Sequence, residues 1–421
     1  MKLIDIIEVF IAGDWGEETY SKETPCAVTC VRGADIIPIS EYDFSAIPVR
    51  YINQQAYARK CLQVGDIIIE KSGGSPTQST GRVSLVSQEL LDHAGAVICS
   101  NFCTAFRVKK GWIPLYVYYY LQFIYNLGAF FNFEGKTSGI KNLQLDAAFA
   151  AIPIEDISES IQNNIVAILQ GLERKIAINR QINQNLEAMA KQLYDYWFVQ
   201  FDFPNEEGKP YKSSGGKMVW NEKLKREIPQ GWNNGMLIDI ANITMGQSPD
   251  GSSYNEVGEG MLFYQGSTDF GMRFPSVRQY TTAPSRYAKR GDILMSVRAP
   301  VGSINIANND CCIGRGLSAI NSKLRSTTHL YYILNDLRIA FEQRNAAGTT
   351  FGSITKEDLY SLPIIIPSHE VIRAFDKICS PMFDRQMILG EEIDNLIKQR
   401  DGLLPLLMNG QVSVNSDLSD D

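Results

Sequence analysis

The sequence predicts an α+β fold: two similar β-rich globular domains joined by two long helices that form an antiparallel intramolecular coiled coil. Three observations support this prediction. The chain has 421 residues, which is too long for one ordinary hydrophobic core. One sequence pattern occurs twice along the chain. Each copy is followed by a long segment with apolar residues at seven-residue intervals.

The repeat defines the two globular domains. Two pairs of segments are similar: IKNLQLDAAFAAIPI at 140–154 with ITKEDLYSLPIIIP at 354–367, and VGDIIIEKSGG at 64–74 with RGDILMSVRAPVG at 290–302. The first pair places Pro153 against Pro367, a spacing of 214 residues. A Gly- and Thr-rich loop precedes both members of that pair. Each domain is therefore predicted to end in a loop, an Ile-Pro exit and a helix.

The two helices carry the seven-residue spacing of a coiled-coil seam. The series in the first helix are Ile165, Leu172, Leu186 and Leu193, with Asn179 in the middle place, and Ile161, Ile168, Ile182 and Met189. Those in the second helix are Phe375, Met382, Leu389, Leu396 and Leu403, and Ile372, Cys379, Ile393 and Leu407. The polar residues Asn179, Lys175, Gln386 and Arg400 interrupt the seams, which costs stability but fixes register.

Pairing of the helices within one chain is favoured because each follows one copy of the repeat, and a two-fold relation between the copies makes them antiparallel. The alternative is a pair of amphipathic helices on separate cores, which would show wider apolar stripes over fewer turns. A helix from 158 to 199 would be roughly 60 Å long at about 1.5 Å per residue. That length is about two turns of B-DNA, so the domains would contact two DNA tracts across a fixed gap.

The composition is that of an ordinary globular protein, with 44% apolar and 21% charged residues. The sequence contains no stretch of about 18 apolar residues, so no membrane span is expected. The segment from Met1 to Ile11 lacks the basic region and cleavage site of a signal peptide, so the expected location is the cytoplasm. The eight cysteines are accordingly expected to be reduced thiols, and their spacings favour core positions over zinc ligands.

The charge distribution points to a local DNA-binding face. A formal net charge of −7 excludes a nonspecific nucleic-acid coat, which would need an overall basic field. From Tyr264 to Lys356, however, 12 Lys or Arg residues stand against 5 Asp or Glu residues, a local net charge of +7. A basic domain inside an acidic chain indicates a protein that contacts DNA with one face and other proteins with others.

Several segments resemble the specificity subunit of type I restriction-modification enzymes. They are WFVQFDFPNEEGKPYKSSGGKMVWNEKLKREIPQGW at 197–232, GDILMSVRAPVGSINIANNDCCIGRGLSAI at 291–320 and LLPLLMNGQV at 403–412. With the duplicated SGIKNLQLD and GSITKEDL segments, the resemblance covers nearly the whole chain, and residues 1–130 match least clearly.

The resemblance implies two target recognition domains that each bind half of a split DNA site, and helices that bind two modification subunits. The implied plan is a first recognition domain at 1–153, a central helix at 154–200, a linker at 201–235, a second recognition domain at 236–367, a distal helix at 368–412 and an acidic tail at 413–421. The aromatic residues of the linker would dock on the helices or on a partner.

Catalysis in this family belongs to the partners. The modification subunit methylates adenine with S-adenosylmethionine, and a restriction subunit that uses ATP and Mg is a further partner whose presence the resemblance leaves open. The specificity subunit itself is implied to be non-catalytic and to hold no cofactor. Double-stranded DNA with a bipartite site is the expected ligand, and no membrane is expected.

Candidate DNA contacts are cations for phosphates and polar side chains for base edges. In the first domain they are Lys71, Ser72, Gly73, Gly74, Arg82, Lys136, Thr137, Ser138 and Lys141. In the second domain they are Tyr264, Gln265, Ser267, Arg273, Arg278, Arg298, Arg315, Thr349, Thr350, Ser353 and Lys356. Arg298 precedes a Pro-Val-Gly turn and Arg315 lies between two glycines, so both are expected at loop tips. The alternative for each arginine is an ordinary surface position.

Motifs for catalysis are not found in the sequence. An adenine methyltransferase of this type needs an Asn/Asp-Pro-Pro-Tyr/Phe motif, to which FDFP at 201–204 is only superficially similar. No phosphate-binding GxxxxGK[ST], HExxH or GxSxG motif occurs, and no metal site is predicted. Two other functions stay open: an enzyme with divergent methyltransferase or nuclease motifs, and an adaptor that recruits proteins without distinguishing bases.

Overall fold

The computed structural model describes residues 1–73, 78–137, 140–346 and 353–412, with the backbone but not the side chains of 136, 137, 140 and 340–346. The chain divides into two compact units, Met1–Ile178 with Asp394–Asp421 and Asn179–Ile393. Both units contain strands and helices, so the predicted α+β class is confirmed. The predicted acidic tail at 413–421 lies outside the described residues.

The first unit is built on mixed and antiparallel sheets. Its strands are β1 (Ile7–Ala12), β2 (Cys26–Val31), β3 (Val49–Ile52), β4 (Ile67–Glu70), β5 (Ser72–Gly73), β6 (Val83–Leu85), β7 (Val97–Cys99), β8 (Cys103–Val108), β9 (Glu134–Thr137) and β10 (Ile140–Leu143). Its helices are α1 (Ile36–Ser40), α2 (Gln54–Lys60), α3 (Gln88–Ala94), α4 (Pro114–Asn126), α5 (Leu145–Ala151) and the first part of α6 (Glu159–Tyr194). The sheet orders are β1-β8-β4-β6, β3-β2-β7 and β5-β10-β9.

The second unit repeats this plan. Its strands are β11 (Met218–Asn221), β12 (Arg226–Pro229), β13 (Asn233–Met236), β14 (Ala241–Met245), β15 (Tyr254–Asn255), β16 (Met261–Tyr264), β17 (Tyr280–Thr281), β18 (Tyr287–Ala288), β19 (Ile293–Ser296), β20 (Ile304–Ile306), β21 (Cys311–Ile313), β22 (Leu317–Ser322) and β23 (Pro363–Ile366). Its helices are α7 (Leu237–Ile240), α8 (Thr327–Ala346), α9 (Lys356–Tyr360) and the first part of α10 (His369–Met408). The sheet β14-β22-β19-β20 has the chain order of β1-β8-β4-β6.

Both four-stranded sheets contain a buried strand that follows a Gly-Asp turn. Gly65 and Gly291 have φ angles of 90° and 91°, in the region that favours glycine. The next residues, Asp66 and Asp292, are buried and accept the backbone N–H of the residue three positions earlier, at 2.8 and 2.9 Å. The predicted equivalence of these two segments is therefore confirmed.

A further repeat, the segment LIDI at 3–6 and 237–240, marks where both copies begin. Leu3 donates its backbone N–H to the carbonyl oxygen of Ile152 at 3.1 Å. Leu237 donates in the same way to Leu362 at 2.9 Å. Ile152 and Leu362 therefore hold equivalent positions.

The predicted register of the C-terminal repeat is consequently wrong by four residues. Pro153 lies opposite Lys2, and Pro363 lies opposite Met236, so Pro153 is equivalent to Pro363 rather than to Pro367. A shift of one helical turn, about 3.6 residues, still aligns apolar residues with apolar residues. Sequence similarity alone therefore did not separate the two registers.

The long helices run antiparallel, as predicted. In the first unit, Leu169 of α6 lies in the same hydrophobic core as Leu407 of α10. In the second unit, Ala190 of α6 shares a core with Phe375 of α10. The early part of each helix thus packs against the late part of the other, along an apolar seam.

The apolar series predicted for α10 lie in this seam. Buried members are Phe375, Leu389, Leu396, Ile372, Cys379, Ile393 and Leu407, and Met382 and Leu403 are half-buried. On α6 the first predicted series is right, with Ile165 buried and Leu172, Leu186 and Leu193 half-buried. Both series of α10 and one of α6 are therefore confirmed.

The second series predicted for α6 is right only in its middle members, because Ile168 and Ile182 are half-buried and the end members are not. Ile161 and Met189 are 47% and 53% exposed. The buried positions are Gln162, Leu169, Ile176, Asn183 and Ala190. Because Gln162, Asn183 and Ala190 are polar or small, apolar spacing does not mark these buried positions.

Polar residues in the seam make directed hydrogen bonds within the second unit. Gln386 is 1% exposed and donates to the Asn183 carbonyl oxygen at 3.2 Å and to the Glu187 carboxylate at 3.1 Å. Asn179 donates to the Glu392 carboxylate at 3.0 Å. Lys175 is exposed and therefore does not belong to the seam. Slipping the helices would break these bonds, so they help to set the register.

The aromatic residues of the linker pack within the second unit. Phe203 stacks on Tyr211 and on Trp232, with ring centroids 4.6 and 5.0 Å apart. Phe201 is buried in the same core. Trp220, in contrast, is 53% exposed. Apart from Trp220, these residues pack on the core that contains residues of α6 and α10, which favours docking on the helices over docking on a partner.

Tyrosine and cysteine side chains contribute to the packed cores. The tyrosines of α4 form a packed helix face in the core of the first unit. The cysteines are free thiols, and Cys311 and Cys312 are buried in β21, as expected. Among the described helices, none has the length and apolarity that a bilayer crossing requires.

Burial of His329 is expected to make the protein less stable in mild acid. His329 is 2% exposed, its ring lies 4.6 Å from that of Phe198, and desolvation lowers its pKa from 6.5 to about 3. The unfolded chain binds the proton near pH 6.5 and the folded chain does not, so stability present above pH 6.5 is lost as pH falls toward 3. The loss from this group between pH 7 and pH 5 should be about 2 kcal/mol.

Urea denaturation of the wild type and His329→Leu at both pH values tests this expectation. His329→Leu should reduce the difference in unfolding free energy between pH 7 and pH 5 by about 2 kcal/mol, whatever its effect on stability at pH 7. Equal slopes for the two proteins would contradict it.

Candidate DNA-binding cleft

The second unit carries an open cleft of about 540 Å³ beyond the ends of β16, β19 and β21. Its lining residues are Glu256, Gln265, Gly266, Ser267, Thr268, Asp269, Arg278, Gln279, Arg298, Ala299, Arg315 and Gly316. Five of the residues predicted as DNA contacts are among them: Gln265, Ser267, Arg278, Arg298 and Arg315. The fold thus brings together candidates from four separate segments of the sequence.

Arg315 is held at the rim of the cleft by the glycines on either side of it. Strands β16 and β21 are parallel, and beyond them Gly314 donates its N–H to the Tyr264 carbonyl oxygen at 2.8 Å. A Cβ atom on Gly316 would lie 2.6 Å from the Gln265 carbonyl oxygen, so this position accepts only glycine. The Arg315 side chain itself is exposed, as expected for a loop tip.

Arg298 lies just beyond β19, also at a loop tip. It forms an isolated antiparallel bridge with Ser353, and the next residue there, Ile354, donates its N–H to Val297 at 2.9 Å. The Arg298 side chain is exposed. Within the part of the chain that the structure describes, neither Arg298 nor Arg315 makes an ion pair, so both guanidinium groups can donate to a ligand.

A buried carboxylate orients the opposite wall of the cleft. Asp269 is 6% exposed and accepts the backbone N–H of Gln265 at 3.0 Å. It also accepts a hydrogen bond from Nε of Arg278 at 2.8 Å. The Arg278 side chain is 61% exposed, so its guanidinium is fixed at one edge and open to solvent elsewhere.

The lining suits a polyanion with polar base edges. Three arginines face two acids, and one of the acids, Asp269, is already paired with Arg278. Guanidinium groups bind phosphates and the O6 and N7 atoms of guanine, and a glutamine amide binds the N6 and N7 atoms of adenine. An open, cation-rich cleft with an exposed Gln265 can therefore contact both the backbone and the bases of DNA.

The structure removes two predicted residues from this set. Tyr264 is 1% exposed and belongs to the hydrophobic core below the cleft. Arg273 has a side chain only 10% exposed, pairs with Glu187 at 3.2 Å and lies 4.3 Å from the Phe383 ring centroid. Its role is to attach its loop to α6 and α10. Residue type alone did not reveal that these two side chains point into the protein.

The remaining candidates of the second unit are near Arg298. Ser353 is paired with Arg298 across the isolated bridge, and both Ser353 and Lys356 are exposed. Thr349 and Thr350 lie outside the described residues. Thr268 and Gln279, which sequence reasoning missed, also line the cleft. Each is next to a predicted residue, Ser267 or Arg278, and this adjacency was the only available signal.

In the first unit, strands β5, β9 and β10 bring the predicted segments together. Lys141 pairs with Gly73 on one side and with Lys136 on the other. Ser72 donates its hydroxyl to Asn142 at 2.5 Å, an interaction between the two loops that the sequence had grouped. Gly74 and Ser138 lie outside the described residues, and only the backbone of Thr137 and Lys136 is described.

Two cations of the first unit are occupied by internal ion pairs. Arg82 donates two hydrogen bonds, of 2.9 and 2.7 Å, to the carboxylate of Glu70, which is 2% exposed. Lys141 lies 3.4 Å from the Glu134 carboxylate, and its side chain is 13% exposed. Both residues are therefore reassigned from DNA contacts to internal stabilisation. Lys71 and Ser72 stay half-buried at the surface.

Comparison with known proteins gives consistent results. A family model described as the type I restriction modification DNA specificity domain matches residues 41–188 and 229–399. The MjaX type I restriction enzyme specificity subunit of Methanocaldococcus jannaschii is 31% identical over 385 residues, 87% of this chain and 83% of that one. The MjaIX specificity subunit of the same organism is 26% identical over 334 residues, 73% and 71% of the two chains.

A solved structure shows the same fold. The crystal structure of the type I restriction-modification system S subunit from M. genitalium matches with a TM-score of 0.58 at 13% identity, over 97% of this chain and 95% of that one.

Proposed function

This chain belongs to the type I restriction-modification DNA specificity family, and from this premise we propose that each of its two units binds one half of a bipartite DNA site and so directs partner subunits to that site. The observation that carries the proposal is the cleft of the second unit, where Arg278, Arg298, Arg315 and Gln265 converge. These side chains supply the donors that distinguish base pairs in the major groove. Each of the two long helices runs from one unit into the other.

The chemistry belongs to partner subunits in this proposal. A modification subunit with S-adenosylmethionine methylates adenine within the bound site, and a restriction subunit with ATP and Mg, where one joins the complex, cleaves DNA. The chain itself is non-catalytic and acts in the cytoplasm. The sequence supports this assignment because it contains no match to the methyltransferase or phosphate-loop motifs.

The outer faces of the helices are proposed to bind two modification subunits. Ile161 and Met189, on the stripe beside the seam of α6, are 47% and 53% exposed. On α10, Ile378 and Ile388 are 43% and 55% exposed. In this proposal the modification subunits cover these exposed apolar side chains in the assembled complex.

Methylation assays of the assembled complex test the proposal. Labelled methyl transfer should require both this chain and its modification subunit, and sequencing of the methylated DNA should give a bipartite motif. Transfer by the chain alone would instead indicate an enzyme with divergent motifs. If random competitor DNA abolished binding as effectively as specific competitor DNA, the chain would be an adaptor that does not distinguish bases.

Arg298→Ala is expected to weaken binding at one half-site only. Loss of a base contact by this guanidinium should cost about 1–3 kcal/mol at the affected base pair, measured by competition shift assays with sites mutated in either half. Arg325→Ala is the matched control, because Arg325 is exposed in the same unit but does not line the cleft. An equal loss on all sequences would reduce Arg298 to a phosphate contact.

A further inference from the structure

The first unit contains backbone turns equivalent to those that line the cleft of the second unit. In the second unit, Gly314 donates its N–H to the last residue of β16, and Leu317 donates to Gly314 at 3.0 Å. In the first unit, Ser100 donates its N–H to Val31, the last residue of β2, at 2.9 Å, and Cys103 donates to Ser100 at 2.9 Å. The turn after β7 is therefore equivalent to the turn after β21.

This equivalence places Asn101 where the second unit has Arg315. Ser100 and Gly314 donate to the neighbouring parallel strand, and Asn101 and Arg315 directly follow them in the chain. The side chains of Asn101 and Arg315 are both exposed. Phe102, which follows Asn101, is 50% exposed and corresponds to Gly316. Within the described residues Asn101 has no side-chain hydrogen bond, so its amide can donate and accept at once.

A second set of backbone bonds places Ser72 where the second unit has Arg298. Val297 donates its N–H to the Gly316 carbonyl oxygen at 2.9 Å. Lys71 donates its N–H to the Phe102 carbonyl oxygen at 2.8 Å. The residue after Lys71 is Ser72, and the residue after Val297 is Arg298.

A buried aspartate completes the match. Asp35 is 2% exposed and accepts the backbone N–H of Arg32 at 2.8 Å, as Asp269 does from Gln265. The Arg32 guanidinium is held by Asp35 through hydrogen bonds of 2.9 and 2.8 Å and is 35% exposed. In both units an aspartate close after the strand therefore fixes an arginine, although Arg32 holds the place of Gln265 and not that of Arg278.

We infer that the first unit binds its half of the DNA site through Arg32, Ser72 and Asn101, and that Asn101 selects an adenine. This inference rests on the proposed function, because it assigns the second half of the same bipartite recognition. An asparagine amide matches the N6 and N7 atoms of adenine, whereas the arginines of the second unit match guanine. The two half-sites therefore differ in base composition, with a specified adenine in the first and guanine favoured in the second.

The surroundings of the three residues suit contact with a base. Gly33 and Gly73 let the backbone beside them pack against the buried Glu70, since a Cβ on either would lie 2.7 or 2.8 Å from its Oε1. The exposed Phe102 ring offers an apolar surface to a thymine methyl group or an unstacked base.

The test uses the assembled complex with the modification subunit and a DNA library randomised in each half-site in turn. Asn101→Ala should lower discrimination at one base pair of the first half-site by about 5- to 150-fold and leave the second half-site unchanged. Asn101→Arg, which introduces the residue found at the equivalent place, should shift the preferred base at that position from adenine to guanine. Asn126→Ala, an exposed asparagine at the end of α4, is the matched control.

The outcomes separate this inference from the function on which it rests. A wild-type complex with no bipartite preference would overturn the proposed function itself. A bipartite preference that both Asn101 variants leave unchanged in the first half-site would overturn the inference alone. The melting temperatures of both variants should equal that of Asn126→Ala, because Asn101 is exposed in a turn.

Discussion

Replacing Leu389 by aspartate is expected to lower the free energy of unfolding by about 3–5 kcal/mol. Leu389 is 0% exposed and lies in the seam of α10 within the second unit. The substitution removes apolar contacts and leaves a carboxylate without solvent or a partner. Urea denaturation followed by far-UV circular dichroism measures the loss. The assembled complex should also lose its preference for one gap length between the half-sites.

Ile388→Asp is the control for this prediction. Ile388 is the neighbouring residue on the same helix but is 55% exposed, so its change should alter the stability of the chain without partners by less than about 0.5 kcal/mol. Two variants of equal stability would mean that the seam is placed wrongly. The seam would also be placed wrongly if the complex with Leu389→Asp kept its preference for one gap length.

Arg82→Ala is also expected to cost about 3–5 kcal/mol of stability. The substitution leaves the Glu70 carboxylate, 2% exposed, without the two hydrogen bonds that Arg82 donates. This outcome distinguishes the internal ion pair from the DNA contact that the sequence predicted. If Arg82 contacted DNA instead, Arg82→Ala would weaken DNA binding and leave the free energy of unfolding unchanged.

Arg59→Ala provides the comparison, because Arg59 is an exposed arginine of the same unit and should change stability by less than about 0.5 kcal/mol. The double variant Arg82→Met with Glu70→Leu should recover most of the loss, since it removes both charges. Unchanged stability for Arg82→Ala would return Arg82 to the list of DNA contacts.

The helices show how far spacing can be trusted. Phe375, Leu389 and Leu396 are large and apolar, and their seven-residue spacing identified the seam of α10. The seam of α6 includes Asn183 and Ala190, which an apolar pattern does not count. The neighbouring stripe of α6 has the same seven-residue spacing, but its end members, Ile161 and Met189, are exposed.

The candidate site shows a similar division. Arg298 and Arg315 were placed at loop tips because proline and glycine next to them restrict the backbone, a local effect that sequence carries. Arg273 is of the same residue type, but a carboxylate on α6 pairs with it. Asn101 had no local mark at all, and only its hydrogen-bonded equivalence to Arg315 identifies it.

By itself, the sequence determined the duplicated plan, the α+β class, the antiparallel helices and the basic character of the second recognition domain. These depend on periodicity, turn residues and charge, which act over short distances along the chain. Only the tertiary structure decided the register of the repeat, which arginines face the cleft, and which residues of the first unit take their place. Those outcomes depend on partners far apart in sequence, such as Glu187 for Arg273 and Glu70 for Arg82, which the fold alone brings within hydrogen-bonding distance.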